Sequence, residues 1–162
     1  MTIPFDYSKI EQTIKRYTEL LHTIINAPIL TFDELSKLST KGRGIYLVFD
    51  ENELIYVGMT INIRQRLLDM VTSNRHSLNQ IFLDLEMGDF VFKATGFRTL
   101  TPFEKKRLIA EGTLTKEILK TYKNVTKKKI KEFKFKFYET DWFNMRDLEH
   151  FTISILNPML NQ

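Results

Sequence analysis

Two short apolar segments separated by a polar link most constrain the fold of this chain. The segments are residues 45–49 and 54–57, and the link is residues 50–53. Two strand-like segments joined by a short polar link predict a β-hairpin. Each predicted strand also carries a tyrosine close to a glycine, in Gly44-Ile45-Tyr46 and in Tyr56-Val57-Gly58. A hairpin does not require that combination, so the two tripeptides point to a function.

The register of the hairpin decides whether the two tyrosines can work together. Strand side chains alternate between the two faces of a sheet. Pairing Asp50 with Leu54 would put Tyr46 and Tyr56 on the same face, whereas pairing Phe49 with Leu54 would put them on opposite faces. If both tyrosines act in one site, the turn must therefore be odd in length or the hairpin must contain a bulge. Each tyrosine taken alone is also compatible with an ordinary strand aromatic.

Further elements are predicted on both sides of the hairpin. Apolar spacing and capping residues predict helices at about 7–26, from 32, at 61–72, at 78–87, from 102, at 115–123 and at 144–156. Alternation predicts a half-buried strand at 133–137 with its lysines facing outward, and residues 90–97 also resemble a strand. These elements predict an α+β fold in which a small antiparallel sheet, the hairpin plus a third strand, is flanked by helices.

The predicted elements also suggest a domain organisation. Residues 1–41 are expected to form a helical extension packed on the core. Residues 42–162 are expected to form the main domain, with a basic insertion at about 73–132. The apolar stripe of the N-terminal helix suits packing on the core or a dimer surface, so both a monomer and a homodimer remain open.

Composition excludes several classes of protein. With 162 residues, 43% hydrophobic and 27% charged, the chain suits one soluble domain. It contains no apolar run long enough to cross a membrane, and its first residues lack the pattern of a signal peptide. The absence of cysteine excludes disulfides and thiolate metal sites, and it suggests a cytoplasmic protein.

Positive charge is concentrated in one segment. Residues 112–136 contain nine lysines and only two glutamates. Such a segment suits binding to a phosphate backbone, because neutralised phosphates release counterions. A solvated lysine-rich face would have the same composition. The candidate nucleic-acid contacts are Lys123, Lys127, Lys128, Lys129, Lys131, Lys134 and Lys136.

A carboxylate stands out in the last predicted helix. On a helical wheel, Glu149 falls in the same arc as Leu148, Phe151 and Ile155. An ionised carboxylate on a buried face is costly unless it is paired or binds a cation. The sequence leaves open an ion pair with an arginine and a functional carboxylate.

Together these residues resemble the GIY-YIG nuclease family. The two tripeptides match its signature motifs, with Val57 in place of isoleucine. Arg66 lies ten residues after the second tyrosine, where the family has an arginine. Glu149 follows an alternating strand, as the family's metal-binding glutamate does, and Pro158 and Asn161 occupy positions found in its excision-repair members. The resemblance covers roughly residues 42–72 and 133–162.

The resemblance implies metal-dependent hydrolysis of phosphodiester bonds in DNA. Glu149 would hold one Mg²⁺ or Mn²⁺ ion, and Arg66 would hold the scissile phosphate. Tyr46 would activate the attacking water and Tyr56 would position the water or the phosphate. Asn161 would brace the region of Glu149 or contact the phosphate. A catalytically weak nucleic-acid-binding module of the same fold and an RNA-directed nuclease remain alternatives.

The glycines and two departures from the family pattern complete the prediction. Gly44 and Gly58 would let the backbone approach nucleic acid closely, because neither has a Cβ. Met59 stands where the repair nucleases of the family have a lysine, and Met70 stands where many members have a histidine or tyrosine. The nearby His76 is a candidate substitute for the missing proton carrier, although a solvated loop histidine is the simpler interpretation.

Overall fold

The computed structural model describes residues 6–37, 42–72, 76–96 and 101–161, without the side chains of Trp142 and Phe143. The chain forms two compact units, one from residues 1–64 and 134–162 and the other from residues 65–133. The first unit contains a four-stranded antiparallel sheet with helices, and the described part of the second is helical. The predicted α+β class is confirmed.

The elements of the first unit are α1 (Tyr7–Ile25), β1 (Leu30–Thr31), α2 (Phe32–Lys37), β2 (Gly44–Asp50), β3 (Glu53–Thr60), β4 (Lys134–Glu139) and α7 (Trp142–Leu156). The second unit contains α4 (Ser77–Thr95), α5 (Pro102–Ala110) and α6 (Lys116–Glu132). Helix α3 (Ile63–Thr72) begins in the first unit and continues into the second.

The sheet places the hairpin at one edge. Its strand order is β1-β4-β2-β3, so β3 is an edge strand. Leu47 of β2 and Val57 of β3 share a buried core with Ile24 of α1 and with Met145 and Leu148 of α7. Helices α1 and α7 thus cover one face of the sheet, and the N-terminal helix packs on the core.

Local capping explains where several helices begin. At the start of α2, the Glu34 carboxylate accepts from the Thr31 N–H at 2.7 Å, and the Thr31 hydroxyl accepts from the Glu34 N–H at 3.2 Å. This reciprocal capping box satisfies two N–H groups that a helix start leaves unpaired. A threonine followed three residues later by a glutamate is the sequence pattern typical of this box. The sequence did not predict that Leu30 and Thr31 also pair with β4.

The strand predicted at 90–97 is wrong, because α4 continues to Thr95. Leu83, Met87 and Val91, each four residues apart, lie in one buried cluster of the second unit. The helical spacing of these three side chains outweighs the local alternation around Phe92, which is exposed. Gly96 then ends the helix with a φ of 79°, a conformation that glycine adopts without strain. Residue 97 lies outside the described residues.

Two other helices begin or end at residues different from the predicted ones. Helix α6 continues to Glu132 rather than ending near 123, so the lysines at 127–131 are helical. Helix α3 begins at Ile63, and Thr60 still belongs to β3, with its hydroxyl accepting from the Asn62 N–H at 3.1 Å. The full length of α6 places these lysines on one continuous helix.

Candidate functional site

The hairpin has a short tip followed by a bulge. Phe49 pairs with Leu54, which is the register that would separate the tyrosines. The next pair is Val48 with Tyr56, so Ile55 is one additional residue on β3. An additional residue on one strand is a β-bulge, and it shifts all later residues of that strand by one position. Beyond the bulge, the two strands are therefore paired in the register that places Tyr46 and Tyr56 on the same face of the sheet.

The two tyrosines consequently lie on the same face of the sheet. Tyr46 pairs with Gly58, which is two residues from Tyr56 on the same strand. The two rings stack with their centroids 6.1 Å apart and their planes inclined by 30°. Only 1% of Tyr46 is exposed, whereas Tyr56 is half-buried. The condition set by the sequence for a shared tyrosine site is met.

Both glycines have an internal packing role in the structure, and the approach of their backbone to nucleic acid stays a prediction. A Cβ at Gly58 would lie 2.5 Å from the hydroxyl oxygen of Tyr46. A Cβ at Gly44 would collide with the carbonyl oxygen of Tyr138 on β4. The space beside each glycine is thus filled by the protein, because the Tyr46 ring and the β4 backbone approach closely there.

The C-terminal segment pairs with the edge of β3. The Leu160 N–H donates to the carbonyl oxygen of Ile55 at 2.9 Å. The side-chain amide of Asn161 bonds both backbone groups of Val57: its oxygen accepts from the N–H at 2.7 Å and its nitrogen donates to the carbonyl at 2.8 Å. Asn157, with a φ of 45°, ends α7 just before this segment.

This pairing revises the role predicted for Asn161. Its amide bonds the backbone of β3 between Tyr56 and Gly58, and the predicted contact with a phosphate stays a prediction. Asn161 therefore acts as a positioning residue for the strand that carries Tyr56. The bond from Leu160 falls on Ile55, the residue that forms the bulge.

Glu149 lies beside a cavity of about 480 Å³ in the first unit. It is partly exposed, whereas its neighbours Met145, Leu148 and Thr152 are buried. The predicted apolar arc therefore ends at Glu149 rather than enclosing it. The residues that line the cavity are Met59, Met145, Arg146, Glu149 and His150.

The tyrosines and the cavity lie on different faces of β3. Met59 pairs with Ile45 and packs against the core that α1 and α7 cover. Tyr46 and Tyr56 belong to the alternate positions, and their side chains therefore point to the other face. Because β3 is the edge strand, the two faces are separated there by a single strand.

The carboxylate chemistry permits a single-ligand magnesium site. Among the residues that the structure describes, no group of three or more His, Cys, Asp or Glu side chains could hold a metal. Mg²⁺, however, keeps several waters and often takes one or two carboxylates together with substrate phosphates. A partly exposed Glu149 at a cavity wall fits that mode, in which the substrate completes the coordination.

The second unit contains Arg66 and His76. Arg66 lies in the first turn of α3. His76 is only 2% exposed, and its Nδ1 accepts from the Leu78 N–H at 3.1 Å as the N-cap of α4. Burial and the charge of Arg66 lower the pKa of His76 to about 4, although Asp69 raises it.

These contacts disfavour His76 as a proton carrier. With a pKa near 4, the imidazole is neutral at pH 7. Its Nδ1 lone pair already accepts a hydrogen bond, so its proton is on Nε2. The histidine is also not a solvated loop residue. This capping role is not predictable from the sequence, because an imidazole is an uncommon N-cap.

The predicted lysine contacts divide into two groups. Two of them contact aromatic rings of the protein: the Lys129 ammonium lies 5.4 Å from the Phe82 ring centroid, and that of Lys136 lies 5.9 Å from the Phe49 centroid. Lys136 also donates to the carbonyl oxygen of Ile25 at the end of α1, which contradicts its predicted outward orientation. The other five keep some or all of their side chain exposed: Lys123, Lys127, Lys128, Lys131 and Lys134.

Comparisons of the chain with protein-family models, with curated proteins and with solved structures found no match. Within the described ranges, none of the helices has the length and apolar character needed to span a bilayer. What the chain does must therefore be inferred from its motifs and from the geometry of the hairpin, the C-terminal segment and α7.

Proposed function

We propose that the chain is a metal-dependent DNA endonuclease of the GIY-YIG kind that hydrolyses phosphodiester bonds. The observation that carries this proposal is the stacked pair of Tyr46 and Tyr56 on one face of the hairpin. A hairpin that served only as a scaffold would not need a bulge at Ile55 to bring its two tyrosines together. β-Bulges are enriched next to active sites, where they redirect a side chain.

The side chains suit attack of water on a phosphodiester. Such attack requires removal of a proton and stabilisation of the charge that develops on the phosphate. Tyr46 would accept the proton and Tyr56 would orient the water. Arg66 would hold the phosphate, because a guanidinium stays charged and forms paired hydrogen bonds with phosphate oxygens. The support for Arg66 is its spacing from Tyr56 on the next helix.

Glu149 would be the protein ligand of one Mg²⁺ or Mn²⁺ ion. When bound, the ion would supply charge stabilisation for the phosphate and the leaving oxygen. Glu149 suits this role because its carboxylate borders a cavity, and Arg146 and His150 also line that cavity. Lysines of α6 would bind the DNA backbone.

Nicking of a supercoiled plasmid tests the proposal. The wild type is expected to nick DNA with Mg²⁺ or Mn²⁺, and Arg66→Ala and Glu149→Gln are each expected to lose roughly 100-fold or more of that rate. Arg64→Ala changes an exposed arginine on the same helix, and it is the matched control that should retain activity. Equal rates for Arg66→Ala and Arg64→Ala would contradict the assigned role of Arg66.

A specific observation favours a second candidate, a DNA-binding module of the same fold without catalysis. Tyr46 is almost fully buried, with 1% of its surface exposed, as expected for a structural side chain. Tyr46→Phe separates the two functions because it removes the hydroxyl and keeps the ring. Lost nicking with unchanged unfolding supports catalysis, whereas DNA binding without nicking under any metal supports the module.

A further inference from the structure

The lysines of α6 are not spread evenly around the helix. At 100° per residue, five of them fall within an arc of about 80°. All but Lys123, which is half-buried, are exposed. We call this set the lysine stripe: Lys116, Lys120, Lys123, Lys127 and Lys131.

Outside the lysine stripe, the surface of α6 is buried in part and carries both of the helix's acidic residues. Thr126 and Ile130 are buried, and the Lys129 ammonium lies over the Phe82 ring. Glu117 and Glu132, the only acidic residues of α6, fall about 40° or more outside the stripe. The stripe is therefore a continuous line of positive side chains with no carboxylate from its own helix.

The length of the lysine stripe suits a polyanion with regularly spaced charges. Its first and last lysines are fifteen positions apart, a rise of about 22 Å along the axis. Over that length one strand of B-DNA presents about six phosphates. Lysine ammonium groups act as point charges, so such a line binds phosphates without reading base edges.

The aromatic residue of α6 favours duplex over single-stranded DNA. Proteins that bind single strands stack bases on exposed aromatic side chains. Tyr122 points away from the lysine stripe and packs against Phe90, with ring centroids 6.1 Å apart. The described side chains of the stripe therefore offer charge without a stacking surface.

We propose that the lysine stripe binds along the phosphate backbone of duplex DNA, independently of sequence. This inference rests on the proposed function for the identity of the polyanion. It goes further by naming the contact residues and the form of DNA, and by leaving Lys128 and Lys129 outside the contact. Lys116 and Lys120 enter the set because the structure shows that α6 is one continuous helix.

The salt dependence of DNA binding tests the stripe. Binding is measured by fluorescence anisotropy in EDTA between about 50 and 200 mM salt, on unrelated duplexes of about 20 base pairs and on one single strand. The stripe variant combines Lys120→Gln, Lys127→Gln and Lys131→Gln. The control variant combines Lys9→Gln, Lys15→Gln and Lys106→Gln, which removes the same charge from exposed lysines elsewhere.

Removal of three phosphate contacts is expected to reduce the slope of log K against log salt by about 2.7 on every duplex. The control variant should keep the wild-type slope, and the wild type should bind the duplexes more tightly than the single strand. Equal slopes for the two variants, a loss confined to one sequence, or tighter binding to the single strand would overturn the inference. If plasmid nicking persists in those cases, the proposed function survives. A wild type that binds no DNA overturns both.

Discussion

The pairing of Asn161 with β3 has a measurable energetic consequence. Asn161→Ala removes two hydrogen bonds, at 2.7 and 2.8 Å, to the N–H and the carbonyl of Val57. A typical intramolecular hydrogen bond contributes about 0.5–1.5 kcal/mol net, so the pair contributes roughly 1–3 kcal/mol. Because the bonds are partly buried and water can replace some of them, we expect a loss of about 1–2 kcal/mol in the free energy of unfolding.

Urea unfolding of three variants separates hydrogen bonding from side-chain size. Asn161→Asp keeps an acceptor for the Val57 N–H but places a second oxygen against the Val57 carbonyl, so it should destabilise at least as much as Asn161→Ala. Asn124→Ala, on the exposed surface of α6, is the control and should stay within about 0.5 kcal/mol of the wild type. Amide exchange of Val57, followed by NMR, should accelerate in Asn161→Ala and not in Asn124→Ala.

Two outcomes would refute this reasoning about Asn161. One is an Asn161→Ala protein that unfolds at the same urea concentration as Asn124→Ala. The other is unchanged exchange of the Val57 amide, since that N–H donates to Asn161 in the structure. Either result would mean that the C-terminal segment does not hold the edge of β3 in solution.

Two further changes test buried polar groups. The pKa of His76 is lowered from 6.5 to about 4 in the folded protein. Between these pH values the unfolded chain therefore binds more protons than the folded protein does. The free energy of unfolding should fall by up to about 3 kcal/mol as the pH drops from 6.5 to 4. His76→Asn, which retains a capping acceptor, should remove this decrease in urea unfolding, whereas His22→Asn, at an exposed position, should not. The Thr152 hydroxyl is fully buried and has no hydrogen-bond partner among the described residues, so Thr152→Val should stabilise by about 1 kcal/mol in the same assay. A Thr152→Val protein less stable than the wild type would show that the hydroxyl has a partner in solution.

Elements with a strong local pattern were predictable from the sequence. The hairpin, the capping box before α2 and the alternating strand β4 depend on residues close to one another in the chain. The strand predicted at 90–97 failed because Phe90 and Phe92 alternate locally, while the burial of Val91 depends on other helices of the second unit. Local alternation of side chains does not show which of them will be buried by other helices.

The site was predictable only as a set of residues. The tyrosines share a face because of a bulge, and the residue that forms it bonds to Leu160, far along the chain. The orientation of Lys136 likewise depends on where α1 ends, since the ammonium bonds a carbonyl at that end. Such contacts arise from tertiary packing, and a single sequence does not show them.

The bulge at Ile55 also bears on how hairpins of this kind tolerate insertions and deletions. Deleting Ile55 would remove the bulge and still leave Tyr56 beside Val48. The number of residues between the two tyrosines can therefore change while the tyrosines stay on the same face of the sheet. Two chains whose tyrosines differ by one residue in spacing can therefore present the same pair of rings. Spacing alone does not reveal which face a tyrosine occupies, and divergence in hairpin length need not mean loss of the site.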